Sequence, residues 1–135
     1  MKKIWVSLMV FLFFVAFSAC NNHRDTTTVK NGTYKLGQTE TDAVVSPYIT
    51  ISDENISFSY DALSSYWPYG TYTVEDGVLT MTTYDERYKY VFRLDDDKLI
   101  FQKKESSSVR VIDSRFGAEI TDNAEFILED NENEN

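Results

Sequence analysis

Carboxylates, one cysteine, one histidine and a run of aromatic rings are the residues of this chain whose types and spacing bear on chemistry. Acids gather at Asp53-Glu54 and at Asp95-Asp96-Asp97. A calcium ion needs more oxygens than one such turn offers, and the alternate acids and closing glutamate of a helix–loop–helix calcium loop are missing. These acids therefore read as solvated turns. Two carboxylates flanking a scissile bond would make a glycosidase-type hydrolase, but nothing in the spacing selects a pair among the 22 acids. A carboxylate-based hydrolase stays the remotest reading, and the chain is taken as a non-enzyme. His23 is the only histidine and sits in a polar stretch, away from any partner for a triad or a zinc site. The five glycines are scattered, with no phosphate-binding spacing. No metal and no cofactor is expected.

The aromatic run Tyr60…Tyr66-Trp67-Pro68-Tyr69…Tyr72 is the stronger contact candidate. Tryptophan and tyrosine combine rigid apolar area with a polar end. Tyr66, Trp67 and Tyr69 fall in the segment 61–69 between two expected strands, where recognition residues concentrate. The competing reading makes them a cap on one end of the core.

Cys20 needs its surroundings to be read. Met1-Lys2-Lys3 is cationic, Ile4 to Phe17 is apolar except for Ser7, and the small residues Ser18 and Ala19 follow. That is the layout of a secretory signal peptide. As a helix its apolar part rises about 21 Å, short of the roughly 30 Å hydrocarbon core, so a permanent span is the weaker reading. The run Phe17-Ser18-Ala19-Cys20 resembles a bacterial lipoprotein signal. That resemblance implies cleavage before Cys20, acylation of its sulfur (palmitate among the chains), and a cell-membrane anchor on the extracytoplasmic face. Two or more acyl chains hold a protein stably where one does not. Cys20 is the only cysteine, so no thiol remains for a disulfide and the core must hold the fold.

The net charge is −9, becoming −11 once Lys2 and Lys3 leave with the leader. Such a balance opposes nucleic acid and anionic headgroups as partners; it reads first as a surface kept from aggregating, with attraction to a basic protein or to cations as the sharper alternative. Four segments follow: a leader over 1–19, a polar tether over 20–31, a β domain over 32–128 and an acidic tail over 129–135.

Within 32–128 the apolar period is two. Tyr72 and Val74 alternate with threonines, Asp76-Gly77 intervenes, and Leu79 and Met81 alternate again. Asp-Gly between alternating runs is a strong hairpin signal, because both central residues take positive φ. Folding there pairs Val74 with Leu79 and Tyr72 with Met81. Ile49 and Ile51, then Ile56 and Phe58 across Asp53-Glu54-Asn55, make a second hairpin. Tyr88, Tyr90, Phe92 and Leu94, then Leu99 and Phe101 across the Asp95–Asp97 turn, make a third. Val109 with Val111 predicts a further strand, and Phe126 to Leu128 a last one. A single turn is expected near Asp61 to Ser65. The prediction is all-β: one antiparallel meander barrel or sandwich of about seven to nine strands.

The openings Gly32-Thr33-Tyr34 and Gly70-Thr71-Tyr72, with the strand–turn–strand runs after them, resemble small lipocalin-like domains of bacterial lipoproteins. The resemblance implies a fold rather than an activity. Two functions follow as expectations. In the preferred one, an interaction or inhibitor module presents Tyr66, Trp67 and Tyr69 to an envelope or extracellular protein. In the alternative, a cup lined by Tyr72, Val74, Met81, Tyr90 and Phe92 holds a small apolar or sugar ligand. The bulk of those side chains favours a filled interior.

Overall fold

The computed structural model describes residues 28–37 and 45–130. The expected leader, Cys20, His23 and the last five residues of the expected acidic tail lie outside them. Among the described residues no helix is long and apolar enough to cross a membrane.

Eight antiparallel strands close into a barrel in chain order: β1 (Gly32–Leu36), β2 (Tyr48–Ser52), β3 (Asn55–Ser59), β4 (Tyr69–Glu75), β5 (Val78–Thr83), β6 (Lys89–Asp95), β7 (Lys98–Phe101) and β8 (Glu125–Leu128). The Asp76-Gly77 hairpin has the expected register, with Val74 opposite Leu79 and Tyr72 opposite Met81. Closure comes from β8, which pairs with β7 on one side and β1 on the other. No sheet edge is left open within the barrel wall.

The expected strand at Val109 and Val111 does not form. With β1 and β8 joined, a ninth strand has no edge to pair with. Residues 102–124 instead pass over one end of the barrel, with only a 3-10 turn at Lys103–Glu105. Their backbone groups find partners singly: Ile112 N–H donates to the Asp61 carboxylate at 2.8 Å, and Ser107 N–H to the Lys89 carbonyl at 2.7 Å. Ala118 and Ile120 are buried there.

The alternation sends one face of every strand inward. Tyr34, Ile49, Ile51, Ile56, Phe58, Leu79, Met81, Tyr90, Phe92, Leu99, Phe101 and Phe126 form a continuous buried core. Phe58 is its centre, with ring contacts to Tyr60, Tyr90, Phe92, Phe101 and Phe126 at 5.2–6.1 Å. A barrel of about eight strands is just wide enough for side chains to fill, and here they do.

The two ends differ. At one, turns at Asp53-Glu54, Asp76-Gly77 and Asp96-Asp97 join the hairpins. Each begins with an aspartate at positive φ, 54°, 50° and 50°, which aspartate tolerates better than most residues because its short side chain bonds locally. The chain enters and leaves at this end. Lys30 pairs with Asp97 at 2.6 Å, and the Asn31 side chain exchanges hydrogen bonds with Asp53. Glu129, first residue of the expected tail, is held by its N–H on the Thr33 carbonyl and by Lys35. The long connections 60–68, 84–88 and 102–124 gather at the other end.

Candidate functional site

The loop end is built around two aspartates. Asp61, almost fully buried, follows β3 and accepts Leu63 N–H on one carboxylate oxygen and Ile112 N–H on the other, at 2.9 and 2.8 Å. Its backbone bridges Gly117, and Ala62 N–H donates to the Phe116 carbonyl. The turn expected near Asp61 to Ser65 is present, closed by Ser64 N–H on the Asp61 carbonyl. Asp61 thus ties the β3–β4 connection to the β7–β8 connection. Asp61→Asn would turn one acceptor into an NH2 group facing a backbone N–H. We expect a loss of about 1–3 kcal/mol, read from the urea midpoint at constant slope; an unchanged midpoint would show that water replaces the bond.

Asp85 fixes the neighbouring β5–β6 turn. Thr83 Oγ1 donates to it at 2.6 Å, Arg87 N–H at 3.2 Å and the Tyr66 hydroxyl at 3.0 Å. The Thr83 hydrogen bond, with those from Arg87 and Tyr66, holds the Asp85 carboxyl below its usual range. A depressed folded value means the stabilisation is complete above the unfolded pKa of about 3.9 and is lost as pH falls through the folded one. The Tyr66 ring resonances should therefore hold steady on acidification until below about pH 4. Movement already near neutral pH would show that the turn is not pinned by this carboxylate.

The three expected contact residues part company here. Tyr66 turns inward over Tyr88, ring centroids 5.0 Å apart, and spends its hydroxyl on Asp85. Trp67 and Tyr69 stack at 6.0 Å with 29° between planes, and Trp67 is 64% exposed. Tyr69 is not in the loop but opens β4. It faces outward and meets Tyr84 at 5.2 Å. Tyr84 N–H donates to the Tyr69 carbonyl at 3.0 Å, and the Tyr84 hydroxyl donates to Asn55 Oδ1 across β4. Trp67, Tyr69 and Tyr84 therefore form one exposed row. The sequence reading missed Tyr84, though counting outward from Asp76-Gly77 places 69 opposite 84. A cleft of about 210 Å³ opens beside the row, lined in part by Tyr48, Tyr60, Ser64, Tyr66 and Trp67.

The five expected cup-lining residues all point inward. Met81, Tyr90 and Phe92 have no exposed surface and belong to the core, while Tyr72 and Val74 pack against it half-buried at the tight-turn end. The Tyr72 hydroxyl donates to the Asp53 carbonyl at 2.6 Å. Burial drives the Tyr90 phenol far above the tyrosine range, with Tyr60 adding to the shift. Among the described residues no group meets hydrogen-bond geometry with the Tyr90 hydroxyl. Among the described residues no three His, Cys, Asp or Glu side chains converge as a metal site would require.

No protein family, curated protein or solved structure matches the chain.

Proposed function

We propose that this is an extracytoplasmic binding domain, held to the membrane by lipid on Cys20, that takes its partner on the outside of the barrel. The observation that carries the reading is the exposed row Trp67, Tyr69 and Tyr84 on a barrel whose interior is filled with side chains. Large aromatic groups left in water on a folded surface mark contact sites. The two aspartates nearest the row, Asp61 and Asp85, have their oxygens engaged in holding loops. The row lies at the end opposite Lys30, so the segment that leads to Cys20 joins the barrel away from it. A steered basic protein fits less well, because Asp53, Glu54, Asp76, Asp95, Asp96 and Asp97 gather at the tight-turn end instead.

The test uses the full chain in its native envelope. Trp67→Ala should leave the unfolding transition within about 0.5 kcal/mol, as exposed positions do, and abolish partner capture. A collapsed transition would make Trp67 core, and undiminished capture would remove the row from function. Cys20→Ser should release the protein from the membrane fraction; retention there would remove the anchor.

A further inference from the structure

We propose that Trp67, Tyr69 and Tyr84, with the threonine-rich strand face beside them, bind a neutral glycan chain laid along the outside of the barrel. The inference rests on the surface reading above and names its ligand.

The register sets what lies next to the rings. Tyr69 stands opposite Ser57 on β3, and Gly70 opposite Thr83 on β5, so the outward positions of three strands form one sheet surface. Beyond the rings that surface carries Asn55, Thr71, Thr73, Thr80 and Thr82. These five carry no charge; the charged side chains of the same outward face, Glu75 at the far end of β4 and Lys89 opposite Thr82 on β6, stand at its borders. The surface therefore offers two things side by side: apolar ring faces, and hydroxyl and amide groups that both donate and accept.

A sugar ring has the same two parts. Its C–H face packs on an aromatic plane, and its hydroxyls need donors and acceptors around the rim. Ring centroids 6.0 and 5.2 Å apart give several adjacent platforms rather than one. An apolar ligand would cover the threonine hydroxyls without pairing them, which costs free energy. A protein partner rich in charge would be desolvated against a face whose centre, Thr71, Thr73, Thr80 and Thr82, offers no counter-charge. An anionic polymer would meet the repulsion of the whole acidic chain. The row runs along an exposed sheet face, which suits an extended chain better than an enclosed small molecule.

Native electrophoresis of the full-length protein reads the interaction, in gels containing neutral polysaccharides of α- or β-linked glucose, mannose, galactose or xylose. A polyoxyethylene detergent avoids competing sugar headgroups. At least one polysaccharide should retard the protein. Trp67→Ala and Tyr84→Ala should each weaken that binding by roughly thirtyfold, with unchanged thermal transitions. Added salt should leave it unaltered, since no charge is matched. Absence of retardation across the panel overturns the inference, as does equal retardation of the variants or retardation by polygalacturonate alone. If the panel fails while Trp67→Ala still abolishes envelope capture, the glycan falls and the surface reading stands. Envelope capture retained in both variants removes both.

Discussion

Phe58→Ala should lower the unfolding free energy by about 3–5 kcal/mol. Phe58, on β3, has no exposed surface and touches five aromatic rings drawn from β6, β7 and β8 and from Tyr60. Edge-to-face pairs such as Phe58–Tyr90, at 84° between planes, add to simple area burial. Truncation would leave a cavity at the meeting point of opposite walls. A closed barrel cannot collapse onto it, because its radius is set by strand number and stagger. A domain of this size has roughly 5–15 kcal/mol in total, so much of it would go. Denaturant unfolding at constant slope provides the measurement. A loss below about 1.5 kcal/mol would show that the surrounding rings repack as a volume-conserving swap does.

Gly70→Ala should cost about 3 kcal/mol, although an alanine in a strand ordinarily gains stability over glycine. The sign turns on space. A Cβ at position 70 would stand 1.9 Å from the Thr82 carbonyl oxygen and 2.8 Å from Thr83 Cα. Both obstacles are backbone, so no side chain can swing away; β4 and β5 would have to part. Glycine here marks a close approach of two strands, as at barrel corners. At Gly77 the cause differs. A Cβ there meets nothing within 4 Å, but φ is 73°, so Gly77→Ala costs only the left-handed penalty of about 1–2 kcal/mol. A Gly70→Ala loss no larger than that of Gly77→Ala would rule out the steric account.

The barrel was largely legible because its pattern is local. Alternation fixes which residues face inward, and Asp-Gly fixes the register of β4 with β5, so Tyr72 and Met81 could be paired on paper. Closure was not legible. Nothing in Glu125–Leu128 says that it will pair with β1 as well as β7. Without that, Val109 and Val111 read as a strand, since two alternating valines carry no sign that both neighbouring edges are taken. The exposed aromatic row was half legible. Trp67 and Tyr69 stood out by type, but Tyr66 differs from them only through Asp85, 19 residues away, and no spacing rule predicts that hydrogen bond. Tyr84 was reachable from the hairpin register and was passed over because it lies beyond the last expected strand residue.

Joining the first strand to the last has a consequence for how the polypeptide is made. Gly32–Leu36 can complete its hydrogen bonding only when Glu125–Leu128 arrives. Phe126 must also reach the centre of the core from that final segment. A chain that lacks β8 therefore has no finished barrel to fall into. Contacts this distant in sequence slow the search, so the barrel should close in one late cooperative event once β8 is in place.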